Sequence, residues 1–241
     1  MFSFFLLFFL VGFIIHLLIR HFFKKRNFVD SPDGIKKQHE MAVPISGGLS
    51  FGLSYYLFIL ICLLIFYIDI NNFLNVQLSI DGYGADFPFL AFLILLLLSL
   101  VLLIICLIDD LISLPVWVRL FTQISCSVLF IQLGGVSLIN LGSLLGGGEI
   151  ILQEYVAFIF TIFCIVGVTN AFNWIDGIDG FFSSQVLIAM IGMMLLSGRI
   201  SVIHIAFLSA ILPYIVMNLG LLGDKFKVFI GDHGAMMIGF L

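Results

Sequence analysis

With 241 residues, 62% of them hydrophobic and 10% charged, and a mean hydropathy of +1.27, the chain is excluded from the soluble globular class and reads as an integral membrane protein. The formal net charge of −4 says little in such a protein, because the placement of Lys and Arg sets orientation. No nucleic acid is expected as a partner.

Seven complete apolar runs follow one another, at roughly 2–19, 46–68, 88–108, 117–134, 155–172, 181–198 and 201–220, and an eighth opens near 234. Most are close to the ~20 residues that a membrane helix needs. The predicted fold is an all-α, polytopic helix bundle in one domain, with seven transmembrane helices and a truncated eighth. The first run is read as a retained helix, not a secretory signal, because its basic residues follow the apolar stretch and no small-residue cleavage site appears. Pro213 falls inside the seventh run, where a neighbour must satisfy the freed carbonyl. Cys62, Cys106, Cys126 and Cys164 each sit in an apolar run without metal-ligand spacing and read as small buried hydrophobes. His16 and His204 are expected to bond to neighbouring helices.

Arg20, Lys24, Lys25, Arg26, Lys36 and Lys37 follow the first run, so the positive-inside rule places that loop in the cytoplasm and the N-terminus outside. Alternation then makes 109–116, 173–180 and 221–233 cytoplasmic and leaves only Arg199 among the basic residues outside. The outer loops at 69–87 and 135–154 read as surface turns or a short hairpin.

Three polar islands break the apolar pattern on the predicted cytoplasmic side. Asp109-Asp110 closes the third run; two adjacent carboxylates repel, and a bound cation, or Arg119 across the turn near Pro115, would relieve them. One of the pair could also act as a base, and an exposed helix-end pair is the bland alternative. Asn170, Asn173, Asp176 and Asp179 recur every three residues, a spacing that makes neighbours on a helix, and Gly177 and Gly180 allow a turn. The result is an oxygen-rich cup at a helix end, suited to a hard cation. Asp232, within Gly231-Asp232-His233-Gly234, is either a metal ligand or a helix cap. His233 reads as a solvated loop residue. In the first cytoplasmic loop, Lys36, Lys37 and His39 either attract a phosphate or nucleotide, or hold the helix against anionic lipid. Gly47-Gly48 reads as a close helix contact.

Four ordered motifs carry a resemblance. They are Asp-x-Pro…Lys-x-His…Pro-x-x-Gly-Gly at 30–48, Asp109-Asp110 followed by Arg119 and Gln123, Asn-x-x-Asn-x-x-Asp-Gly-x-Asp-Gly at 170–180, and Phe-x-Gly-Asp at 229–232. Together they resemble the polyprenyl-phosphate N-acetylhexosamine-1-phosphate transferases, and the stretches 211–223 and 227–231 are most similar to members that use UDP-N-acetylglucosamine.

The resemblance implies transfer of GlcNAc-1-phosphate from UDP-GlcNAc to undecaprenyl phosphate, giving undecaprenyl-diphosphate-GlcNAc and UMP at the cytoplasmic face of the bacterial inner membrane. This is the first lipid-linked step of enterobacterial common antigen, O antigen or other surface polysaccharide. It implies Mg²⁺, with Mn²⁺ as a substitute, and leaves room for a homodimer. Asp232 and Asn173 would hold the metal. Asp109 and Asp110 would handle the lipid phosphate, Asp176 and Asp179 would act in the nucleotide and metal cup, and Lys36, Lys37, His39, Asn170 and Asn173 would bind substrate.

The sequence departs from the family in places: Lys36 where Arg is usual, Leu111-Ile112-Ser113 where further acids are common, His233-Gly234-Ala235 after Asp232, and Ser183-Ser184 in place of a Gly pair. It stops at Leu241, short of the further helices and His-rich loop that the resemblance implies, so this polypeptide alone is expected to be inactive, a fragment or a remnant. Two other readings are the phospho-MurNAc-pentapeptide transferase of peptidoglycan synthesis and, from another class, a transporter. The acids sit at predicted helix ends and not near the midplane, which speaks against the transporter.

Overall fold

In lipid, a backbone must satisfy its own polar groups, and helices do so within one segment. Each of the seven apolar runs accordingly forms a helix: α1 (Phe2–Lys25), α2 (Gly47–Ile65), α3 (Phe89–Ile112), α4 (Val116–Gly134), α5 (Glu154–Trp174), α6 (Phe181–Ser197) and α7 (Val202–Asn218). The start of the eighth run forms α8 (Gly231–Phe240). This computed structural model describes residues 2–32, 41–65, 89–143, 146, 148–198 and 200–241. The first five helices are long and apolar enough to cross a membrane; α6 and α7 are shorter, at 17 residues each, or roughly 26 Å at the α-helical rise. The chain is an all-α polytopic membrane bundle. Its one paired strand element among the described residues joins β1 (Val29–Asp30) to β2 (Val43–Pro44) antiparallel. Lys36, Lys37 and His39, between those strands, lie outside the described residues, as do Arg199 and the expected outer loop at 69–87.

Lipid tails are as apolar as leucine, so helices associate through close packing and interhelical bonds. On the wide side of the bundle, Phe51 of α2 lies edge-on to Phe207 of α7 at 5.0 Å, and Phe8 of α1 stacks on Phe58 of α2 at 4.5 Å. Tyr56 Oη meets Ser99 Oγ at 2.9 Å and ties α2 to α3. His16 of α1 donates from Nε2 to the Ala210 carbonyl at 3.2 Å, on the helix that also carries Pro213. That is the expected cross-bond. His204 behaves differently: its ring closes a capping box with Ser201 at the start of its own helix, because an N-terminus leaves N–H groups in need of acceptors. The four cysteines are free, three of them buried, as expected. In the segment 135–154, expected to be an outer loop, an antiparallel bridge pairs Asn140 with Ile151, a short hairpin.

The short helix α8 takes the middle of the bundle, against α3, α5 and α2. His233, Ala235, Met236, Met237, Ile238 and Phe240 are all buried there. Its entry is fixed by backbone contact: Gly47 N–H donates to Phe229 O and Gly48 N–H to Ile230 O, both at 2.8 Å, while Phe229 N–H donates to Pro44 O at 3.0 Å. Where α2 and α8 cross, a Cβ on Gly48 would lie 2.3 Å from Gly234 Cα, and one on Gly234 would lie 2.4 Å from Gly48 Cα. Gly47-Gly48 is therefore the close helix contact expected from sequence.

Because both atoms at that crossing belong to backbone, Gly48→Ala is expected to lower stability by about 3 kcal/mol or more. Gly192→Ala, mid-α6 with nothing within 4 Å of its added methyl, is expected to be neutral or slightly stabilising. Thermal melts of the two variants in detergent would check this; equal melting temperatures would contradict the crossing.

Candidate active site

The residues that meet at one end of the bundle come from four separate segments. Asp109 and Asp110 lie in the last turn of α3. Ser113 then turns the chain with a left-handed φ of 55°, and Leu114 N–H donates to Asp109 Oδ1 at 2.6 Å. Asp109 is thus a turn-forming acceptor and only 8% exposed, not the water-facing helix-end charge that the bland reading allowed. Arg119, one turn into α4, reaches back: its Nη1 stands 3.0 Å from Asp109 Oδ2 and 2.6 Å from Asp232 Oδ2. Asp232 occupies the first turn of α8, where the positive end of the helix dipole favours an acid.

Asp110 is held by a histidine. His233 Nδ1 lies 2.5 Å from Asp110 Oδ2, and His233 Nε2 accepts Leu49 N–H at 2.9 Å. A nitrogen that accepts carries no proton, so Nδ1 is the donor and the ring is neutral in this arrangement. His233 is fully buried and not the solvated loop residue expected from sequence, because the Gly48–Gly234 crossing draws its ring between α2 and α3. Gly231 has a φ of +73°, and a Cβ there would lie 2.9 Å from Asp110 Oδ2, so both backbone and space call for glycine.

Carboxylate oxygens of Asp109, Asp110 and Asp232 all lie within 4.8 Å of one another. Asn173 sits beside them on the last turn of α5, bonded through its side chain to Asp232, and its Oδ1 is buried without a partner. An all-oxygen donor set with an orphaned buried carbonyl fits a hard divalent cation.

The 170–180 segment divides. α5 ends at Trp174, so Asn170 and Asn173 are helical while Asp176 and Asp179 stand on the following turn. The three-residue spacing therefore does not place four side chains on one face. Asn170 points away from the acids: its Nδ2 donates to Gln123 Oε1 at 2.6 Å and to Val166 O at 2.8 Å, which locks α5 to α4. Asp176 faces the cluster, and burial, reinforced by the charges of Asp232, Asp110 and Asp179, pushes its carboxyl up to about 8. Asp179 lies at the rim, more exposed and ion-paired with Lys227. Asn218, at the end of α7, ties the two rims together, accepting Gly180 N–H at 2.9 Å and donating to Val228 O at 3.0 Å. Sequence reading gave neither His233 nor Asn218 this part. The signal for Asn218 was a buried carboxamide at the boundary of an apolar run.

The chain's two tryptophans, Trp117 at the start of α4 and Trp174 at the end of α5, are 69% and 84% exposed at this same end. Tryptophan is a residue that favours the membrane–water interface.

Asp176 holds its proton to about 8 in the fold, whereas an ordinary aspartate ionises near 3.8. Ionisation thus favours the unfolded chain, with no effect below the ordinary value, a rising cost between the two, and a constant cost above the higher one. In cation-free buffer Asp176→Asn is expected to melt above the wild type by a margin that widens from pH 4.5 to pH 8. A margin that stays constant or narrows would contradict the assignment.

Residues 92–241 match the profile of glycosyl transferase family 4. The chain is 32% identical over 223 residues to undecaprenyl-phosphate alpha-N-acetylglucosaminyl 1-phosphate transferase of Escherichia coli O157:H7, covering 90% of this chain and 54% of that protein. The protein of the same name from Pasteurella multocida is 32% identical over 239 residues, 96% of this chain and 60% of that one. That of Yersinia pestis is 37% identical over 137 residues, 55% of this chain and 37% of that one. The chain spans about half the length of these relatives. On the strength of the family profile and of identity across nearly its whole length, the chain belongs to glycosyl transferase family 4.

Proposed function

We propose that the chain carries the acid site of a transferase that moves GlcNAc-1-phosphate from UDP-GlcNAc to undecaprenyl phosphate. The site lies at the cytoplasmic face of the bacterial inner membrane, with the N-terminus in the periplasm. The observation that carries the reading is the meeting of Asp109-Asp110, Asn173 with Asp176, and Asp232, from segments spread over more than a hundred residues of the sequence. Both substrates bring phosphate to headgroup depth, one anchored in lipid and one from the cytosol, and the exposed Trp117 and Trp174 at this end of the bundle support the same depth for the site. The similarity to proteins named for this reaction supports the substrates.

In the proposed reaction an oxygen of the lipid phosphate attacks the β-phosphorus of the nucleotide sugar. The bond from that phosphorus to the bridging oxygen breaks, and UMP leaves with the bridging oxygen. A lipid phosphate is already ionised, so the chain need not form a covalent intermediate. Asp232 and Asn173 would hold Mg²⁺, for which Mn²⁺ could substitute. When bound, the cation supplies the positive charge that phosphoryl transfer demands. Asp109 and Asp110 stand where the lipid phosphate would enter, Asp110 kept in place by the His233 donor. Asp176 and Asp179, the latter paired with Lys227, would border the nucleotide. Lys36, Lys37 and His39 would hold phosphate, the lysines as point charges. Asn170 would act through helix packing and not by contact.

The test is UMP release by membranes from a host without its own enzyme, given undecaprenyl phosphate, UDP-GlcNAc and Mg²⁺. Joined to the remaining length of a relative, the chain is expected to release UMP, and Asp232→Ala in that joined protein to lower the rate by about a hundredfold or more, while the 241-residue polypeptide alone is expected to release none. No release by the joined protein, or release that Asp232→Ala leaves unchanged, would overturn the proposal.

A further inference from the structure

We propose that Arg119 is a resident counter-cation of the acid site, which a divalent cation must lift off Asp232 in order to load. The inference rests on the cation-dependent reading above and adds a competitor within the chain. Three observations carry it. First, a single atom, Arg119 Nη1, bridges acids on two other helices: Asp109 on α3 at 3.0 Å and Asp232 on α8 at 2.6 Å. It thereby holds an oxygen of Asp232, which would receive the cation, together with one of Asp109, where the lipid phosphate would enter. Second, the acids crowd together at this one arginine: oxygens of Asp109, Asp110 and Asp232 all lie within 4.8 Å of one another, and the His233 beside them is already engaged by Leu49 N–H and Asp110. A cation arriving among them meets Arg119 on the oxygens of Asp109 and Asp232. Third, two buried polar atoms at this spot have no partner, Arg119 Nε and Asn173 Oδ1. A buried group left unpaired is costly, so this bonding is not the fullest that these side chains can reach. If Arg119 turns away from Asp232, its Nη1 is freed and its unpartnered Nε can meet a phosphate oxygen, and Asn173 Oδ1 can face a hydrated cation.

Arg119 would thus hold α3, α4 and α8 together at the charged end while the cation is absent, then yield its place and face the incoming anion. Its planar fork suits phosphate as well as carboxylate. It is a positioning residue in the first state and a substrate-facing one in the second.

The experiment measures Mn²⁺ binding to the purified 241-residue chain in detergent, by loss of the free-ion electron paramagnetic resonance signal. Like charges a few ångströms apart near a protein surface repel strongly, so Arg119→Gln is expected to bind Mn²⁺ at least about tenfold tighter than wild type. Arg119→Lys, which keeps the charge, should stay within about threefold of wild type. Asp232→Asn should weaken binding both in the otherwise wild-type chain and when combined with Arg119→Gln. A purely structural arginine would give the opposite for the Arg119→Gln variant, equal or weaker binding in a loosened site, and that result overturns the proposal. No Mn²⁺ binding by any form overturns the cation reading and the proposal with it. Binding that depends on Asp232 but is no tighter in Arg119→Gln overturns the proposal alone. Should Arg119→Gln fail to fold, phenylglyoxal labelling of Arg119 in the wild-type chain decides by mass spectrometry: faster labelling in saturating Mg²⁺ supports release from Asp232, and unchanged or slower labelling overturns it.

Discussion

The charged end of this bundle depends on one backbone crossing. Gly48 and Gly234 meet with no room for a Cβ on either, and that closeness sets everything around it. It aligns the first N–H groups of α2 with the Phe229 and Ile230 carbonyls. It also puts Leu49 N–H against His233 and thereby turns the other ring nitrogen toward Asp110. A helix N-terminus leaves N–H groups without intrahelical partners; here the neighbouring chain and a histidine serve instead of a cap. A larger separation between α2 and α8 would leave those donors and the Asp110 carboxylate unpaired together, in surroundings where an unpaired polar group is costly.

The acids themselves run against the bundle's own chemistry, since burying a carboxylate is unfavourable unless it is paired. The structure distributes that burden. Asp109 is used by the turn that follows α3, Asp110 by His233, and Asp232 by Arg119 and the start of α8. Asp176 lacks such a partner among these bonds and instead retains its proton. Burial raises the Asp232 carboxyl as well, against the opposing pull of Arg119. The elements that supply these partners are not neighbours in sequence, so the acid cluster reports on the tertiary fold more than on any motif.

Much of the bundle was legible from composition and run length, because lipid forces apolar stretches of this length into helices. All seven helices fall on the predicted runs, and the acids at 109–110, 176 and 232 converge as their shared placement at helix ends suggested. What was not legible was anything decided between elements. Local spacing put Asn170, Asn173, Asp176 and Asp179 on one row, yet α5 ends at Trp174 and Gln123 of another helix claims Asn170. His233 looked solvated beside two glycines, because the identity of those glycines does not say that a second glycine pair packs onto them. His204 looked like an interhelical bond and is a cap, since the Ser201 three residues earlier competes for its ring. Lys36, Lys37 and His39 lie outside the described residues, and their reading rests on sequence.

The slot that α8 fills has a consequence for how such a chain is made. α8 follows all of its helical partners in sequence, so α2, α3 and α5 leave the ribosome and enter the membrane before the element that belongs between them. Until then Asp110 has no histidine and Arg119 has no Asp232. The earlier helices must be held loosely enough at the translocon to admit a late arrival, and the final docking is the event that converts a set of inserted helices into a charged pocket. A nascent chain whose α8 cannot dock would leave Asp110 and Arg119 without these partners, the kind of unpaired charge that a fold must avoid.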